Sequence, residues 1–219
     1  MILQSEVLSR EAVVLNTTSY AILGQLALRP WSTYELAREV ARNLRYFWPR
    51  AESHIYTETK KLAELGLAAA VHESVGRRPR ITYSITDAGR AALQDWLAQE
   101  PKSVSLEFES LLRVLLAPLG TKEELVAAVD KAAADVADLV HEVRFRIGQE
   151  YLEGHAPFQR HVHVRAFVLD FLSDFGMLVE HWAQRTRAEV SMWDDTSAAD
   201  KTERALDIIR EALGRDRPG

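Results

Sequence analysis

Cysteine is absent from all 219 residues, which excludes a disulfide framework, a thiolate zinc site and a cysteine nucleophile and fits a reducing compartment, the cytoplasm. Long apolar runs are absent as well. No stretch approaches the roughly 18 uninterrupted apolar residues of a membrane span, and the first twenty residues lack the basic region and apolar run of a signal peptide, so no membrane partner is expected. GxSxG, a phosphate-binding loop and HExxH are missing too, and neither an enzyme nor a cofactor is expected. His155, His161 and His163, preceded by Glu150 and Glu153, invite a metal. Their spacing is poor, because two residues apart splits His161 from His163 across a helix and His155 precedes Pro157 in a loop. They read as a solvated region between helices, and no metal is assigned.

What the chain does contain is 47% hydrophobic residues, enough for a proper core. Its charge is unevenly placed. The net value of −5 hides a stretch from Arg29 to Arg90 with eleven Lys/Arg against seven Asp/Glu, while residues 101–219 hold fifteen against twenty-one. Only the first half attracts a polyanion, through its local potential.

Ser19 to Leu28 reads as a short apolar helix, with Thr17, Thr18 or Ser19 as cap and Arg29-Pro30 as stop. Ser32-Thr33-Tyr34-Glu35 is a capping box that opens a second helix running to about Arg42. A connection from Asn43 to Arg50 carries three aromatics and Pro49, with Tyr46 and Trp48 read as packing residues. The third helix spans about Ala51 to Leu65 and ends at Gly66. Two apolar runs, Leu67 to Glu73 and Arg80 to Ile85, flank the turn-rich segment Ser74 to Pro79 and read as a β-hairpin. Thr86-Asp87 then caps a fourth helix that carries Ala88, Ala92, Leu93, Trp96 and Leu97.

Beyond a linker at Pro101 to Val104 the pattern is helical: Leu106 to Leu116, about Lys122 to Glu153, about Phe158 to Trp193, and about Ala199 to Leu213. The expected fold is therefore mainly α with a small β-hairpin wing, a winged helix-turn-helix followed by an all-α C-terminal dimerisation domain. Its parts are an N-terminal extension 1–18, a DNA-binding domain 19–100 and a helical domain 105–219.

On a wheel of about 100° per residue, Ile55, Thr59, Leu62 and Ala63 form the buried face of the third helix. The opposite arc carries Ser53, Thr57, Lys60 and Lys61, flanked by His54 and Tyr56. Such groups can meet base edges and phosphates in a major groove. Glu58 and Glu64 near that face either repel phosphate or accept from a cytosine amino group. The wing Gly76-Arg77-Arg78-Pro79-Arg80 puts three guanidiniums on a tight turn, suited to phosphate or a narrow minor groove. With Ser32, Thr33 and Tyr34 at the start of the second helix, these residues are the expected contacts to double-stranded DNA.

Four segments carry a family resemblance: Tyr20 to Ala27, Ser32 to Leu36, His54 to Leu67 and Arg80 to Arg90. From about Ser19 to Leu97 the chain resembles the PadR family of bacterial transcriptional regulators, and Phe47-Trp48-Pro49 with the large helical remainder resembles the longer-tailed subgroup related to virulence-gene activators. The resemblance implies a homodimer held by C-terminal helices, a palindromic operator, and often a repressor that a small molecule releases. The chain departs from the family in its first eighteen residues, where Val7-Leu8 and Val13-Val14-Leu15 can form a packing arm. The alternative is a winged-helix protein-interaction module that does not touch DNA.

Two further patterns bear on assembly. Leu125, Val129, Ala132, Val136, Leu139 and Val143 make a narrow apolar seam that needs a partner helix. With Leu206, Ile209 and Leu213 it is the expected dimer interface. Phe167, Phe171, Phe175, Leu178 and Trp182 form an aromatic stripe, read chiefly as core or dimer interface and secondarily as the lining of a pocket for a small planar aromatic effector.

Overall fold

The computed structural model of the chain describes residues 15–75, 78–197 and 201–214. The chain divides into two compact units, with the boundary between Val104 and Ser105.

The first unit opens with α1 (Thr17–Leu28). Its cap is Asn16, whose side chain accepts from the Ser19 amide at 3.0 Å while the Ser19 hydroxyl accepts from the Asn16 amide at 3.1 Å. The helix therefore starts earlier than its apolar pattern alone indicates. A two-residue strand, β1 (Trp31–Ser32), follows, then α2 (Thr33–Leu44), where Ser32 and Glu35 form the expected capping box. Next come α3 (Glu52–Glu64), β2 (Ala68–Val75), β3 (Arg78–Ile85) and α4 (Asp87–Leu97). The hairpin partners Ala70 with Tyr83, and β1 adds to the other edge of β3 with Trp31 opposite Tyr83, giving an antiparallel sheet ordered β1-β3-β2. Two residues are too short for periodicity to signal, and pairing rather than propensity makes β1 a strand. Ile22, Leu23 and Leu26 of α1, Leu36, Ala37 and Val40 of α2, and Ile55 and Leu62 of α3 are buried and form the core. Tyr20 and Trp96 close it with a stacked pair, centroids 4.8 Å apart.

The second unit comprises α5 (Glu109–Leu115), α6 (Lys122–His141), a π-helical stretch (Glu142–Ile147), α7 (Gly148–Leu152), α8 (Val162–Ser191) and α9 (Thr202–Leu213). Among the described residues no helix is long and apolar enough to cross a membrane. The apolar seam of α6 finds its partner inside the chain. Leu125 and Val129 cluster with Ala183 and Val190 of α8, and Ala132 and Val136 with Val179. Leu139 and Val143 are buried as well. These residues, expected at a dimer interface, instead belong to an antiparallel intrachain pair, because a 30-residue α8 returns along α6 and covers it. Gly176 lets the two helices approach, since a Cβ there would lie 2.3 Å from Val140 Cγ2.

Two glycines in the first unit separate helix propensity from packing. A Cβ at Gly89 would lie 2.1 Å from the Leu67 carbonyl oxygen, whereas one at Gly24 meets nothing within 4 Å. Ala favours a helix over Gly by about 0.8–1.0 kcal/mol. Gly24→Ala is thus expected to raise the melting temperature and Gly89→Ala to lower it, because a backbone carbonyl cannot yield as a side chain can. Thermal melts of the two variants check this opposition of sign.

Candidate nucleic-acid interface

Helix α3 is the centre of the candidate site. Ile55, Glu58, Thr59 and Leu62 are its buried residues, an arc of about 100° on the wheel. The Thr59 hydroxyl turns back to the Ile55 carbonyl at 2.7 Å, so it is buried without an orphaned donor. On the opposite arc Ser53, His54, Thr57 and Lys60 are exposed, and Tyr56 is 37% exposed. The Thr57 hydroxyl donates to the Ser53 carbonyl at 3.0 Å, which leaves its oxygen free to accept. Lys60 lies 3.6 Å from Glu64, an exposed pair of little energetic weight.

Glu58 differs from its sequence reading. It is 5% exposed, and its Oε1 accepts from the Ser19 hydroxyl at 2.5 Å. Lys61 stands 3.6 Å away on the same helix. The carboxylate is therefore turned inward onto the first turn of α1, where unsatisfied amides favour negative charge, and takes no place on the exposed arc. The wheel carries the sign of this: Glu58 is only about 60° from Ile55.

The N-terminus of α2 is also occupied by intramolecular contacts. Ser32 is 9% exposed, and its hydroxyl accepts from the Glu35 amide at 3.3 Å while donating to Glu35 Oε2 at 2.8 Å. The Ser32 hydroxyl is thus engaged in capping its own helix. Thr33 is half-buried, and Tyr34 is 60% exposed with the Arg38 guanidinium over its ring. Arg80 donates to Glu35 Oε2 at 2.8 Å and joins β3 to α2. Of the wing arginines, Arg77 and the side chain of Arg78 lie outside the described residues. The Glu35 carboxyl is held below the ordinary carboxylate range, chiefly by the Ser32 hydroxyl, then by the Ser32 amide, with Arg80 and Arg29 adding and burial opposing.

The residues expected on an effector pocket are divided. Phe167 and Phe171 are 75% and 63% exposed, while Phe175 and Trp182 pack against the Ala132, Val136 and Val179 cluster. A cleft of about 330 Å³ lies elsewhere in the second unit, lined by Val114, Leu115, Leu125, Val190, Trp193 and Lys201 among others. Of the expected interface residues on α9, Leu206, Ile209 and Leu213 are all exposed. Among the described residues no group of three or more His, Asp or Glu is placed to hold a metal ion.

A helix, a short strand, two further helices, a hairpin and a fourth helix in this order define a winged helix-turn-helix domain. Residues 22–95 match the model of the Transcriptional regulator PadR-like family. It is 33% identical over 98 residues to the negative transcriptional regulator PadR of Bacillus subtilis, covering 43% of this chain and 54% of that protein. The match thus spans about half the length of that relative. The fold resembles Bacillus subtilis PadR solved in complex with operator DNA, with TM-score 0.68, 21% identity, and coverage of 81% of this chain and 99% of that one. The same protein in complex with p-coumaric acid gives TM-score 0.60 at 21% identity, covering 80% and 99%. The virulence activator AphA of Vibrio cholerae gives TM-score 0.60 at 22% identity, covering 80% and 98%.

Two predictions follow from the carboxylates of Glu58 and Glu35. Glu58→Ala removes the acceptor of a buried hydroxyl and should cost about 1.5–3 kcal/mol in urea unfolding. A cost under about 0.5 kcal/mol is what a solvated residue would give. For Glu35 the folded-state pKa is the lower one, so its stabilising effect is present above the unfolded pKa and is lost as pH falls through the folded value. The gap in melting temperature between the parent and Glu35→Gln should therefore narrow as pH is taken from about 5 to about 3, around and below the unfolded carboxylate value.

Proposed function

We propose that this chain is a cytoplasmic, sequence-specific DNA-binding transcriptional regulator, not an enzyme, which acts as a homodimeric repressor released by a small aromatic molecule. The observation that carries the reading is the exposed arc of Ser53, His54, Thr57 and Lys60 on a helix whose opposite face is anchored in the core. In a winged helix such a helix enters the major groove, and the wing, with Arg77 and Arg78, grips flanking phosphate. The negative regulator PadR of Bacillus subtilis, solved with operator DNA and with p-coumaric acid, supports the DNA partner, the sign of regulation and the effector class.

Dimerisation is assigned to apolar surface left exposed among the described residues. On α8, Val164, Phe167, Val168, Phe171 and Leu178 are exposed, and on α9 Leu206, Ile209 and Leu213. Apolar residues at spacings of three and four along a helix face are what a partner helix covers. A second copy brings two recognition helices onto half-sites about one DNA turn, roughly 34 Å, apart. Light scattering at micromolar concentration should give twice the mass of the chain, and Phe167→Glu with Phe171→Glu should return it to the monomer.

Binding is tested by titrating the chain against a duplex it selects from random sequence and against a scrambled duplex. Thr57→Ala and Lys60→Ala should melt as the parent does, since both are surface changes. Each should lose about 1–3 kcal/mol on the selected duplex and less on the scrambled one. Variants that bind both duplexes as the parent does would remove α3 as the reading helix. A parent whose binding is indifferent to salt would favour the protein-interaction module, because counterion release drives DNA binding.

A further inference from the structure

We propose that the cleft of the second unit is the seat of the small-molecule effector, and that it takes a neutral molecule with a compact apolar body and one O–H or N–H donor. The inference rests on the effector part of the proposed function and gives it a place and a ligand class. The cleft volume, about 330 Å³, lies at the lower end of the range of about 300–1,000 Å³ usual for small-molecule sites. Its walls come from one chain: Val114 and Leu115 of α5, Leu125 of α6, Val190 near the end of α8, and Trp193 just beyond it. Leu125 and Val190 are buried in a cluster against which Val114 and Trp193 pack, so the floor of the cleft belongs to the core of the unit. The exposed Phe167 and Phe171 line no part of it.

The polar groups around this floor have largely committed their donors to the protein. Thr196 donates its hydroxyl to the Gly120 carbonyl at 3.0 Å, Ser197 donates its own to Asp195 Oδ1 at 2.7 Å, and the Trp193 indole N–H donates to Glu189 Oε1 at 3.3 Å. A hydroxyl has one O–H and two lone pairs, so Thr196 and Ser197 offer a ligand acceptors only, while the Thr186 hydroxyl can turn either way. Lys201, the cation of the lining, has a side chain only 15% exposed, stands 3.5 Å from Asp195 Oδ1 and lies 5.7 Å from the Trp193 ring centroid. The Asp195 carboxyl is held below its ordinary range, chiefly by the Ser197 hydroxyl, then by the Ser197 amide, with Lys201 adding and burial opposing. Lys201 therefore already has its counter-charge. An entering carboxylate would give up water for apolar walls beside a cation that is matched and a neighbour that is ionised. A hydrocarbon would gain the walls but leave the hydroxyl acceptors without a partner. A neutral donor satisfies both.

The test uses the full chain and three probes of similar shape, 4-propylphenol, propylbenzene and 4-propylbenzoate, titrated by calorimetry at about pH 7, where a phenol is neutral and a carboxylate ionised. The phenol should bind once per chain, propylbenzene about twofold to tenfold more weakly for the lost hydrogen bond, and the benzoate most weakly of the three. Thr186→Trp, which fills the cleft, and Leu115→Glu, which puts a carboxylate on its wall at an exposed position, should each reduce phenol binding while a thermal melt shows the fold intact. Phe167→Glu with Phe171→Glu should keep phenol binding, because the cleft is complete within one chain. In the parent, saturating phenol should lower affinity for the selected duplex about fivefold or more. Benzoate binding as tight as the phenol overturns the ligand class. Absence of phenol binding, its survival in both folded cleft variants, or its loss with Phe167 and Phe171 overturns the site. Phenol binding that leaves duplex affinity unchanged overturns the effector role. A parent that binds no duplex but takes up the phenol overturns the DNA reading and supports the cleft as a ligand site.

Discussion

The first unit depends on how one short helix is held. Helix α3 offers the core only a narrow face, two large aliphatic residues, Ile55 and Leu62, with Thr59 and Glu58 between them. So narrow a face leaves rotation about the helix axis poorly determined by apolar contact alone. The contact of Glu58 with the Ser19 hydroxyl supplies the missing constraint, because a buried carboxylate must keep its hydrogen bond or carry an uncompensated desolvation cost. Ser19 is itself fixed by the Asn16 cap. The direction in which Ser53, Thr57 and Lys60 point is thus set from the far side of the helix, by buried polar groups away from the exposed arc.

The same economy of polar contacts joins the sheet to the helices. Glu35 caps its own helix through Ser32 and at the same time receives Arg80 from β3. One carboxylate therefore ties the wing strand to the start of α2. An arginine that by composition belongs with the basic tip is drawn into the scaffold.

In the second unit the decisive constraint is length. A 30-residue α8 is long enough to run back along α6 and bury its seam. Its N-terminal half then continues with Phe167 and Phe171 outside that packing. Apolar side chains left in water on a helix surface are an unmet requirement for burial, and a second copy is the partner we assign to them.

Local rules determined a good deal from the sequence alone. Capping chemistry located Ser32, Glu35 and Thr86, Gly66 marked the end of α3, and two apolar runs around a turn-rich segment marked the hairpin, because each depends on neighbours within a few residues. The exposed arc of α3 was legible for the same reason: wheel geometry needs only the helix. The tertiary structure alone decided which partner each face met. Glu58 turned inward because Ser19 waits thirty-nine positions earlier, Arg80 met Glu35 across forty-five positions, and the seam of α6 found α8 before any second chain. Periodicity states that a face must be covered, but what covers it depends on where distant segments return, and that is fixed only when the whole chain has packed.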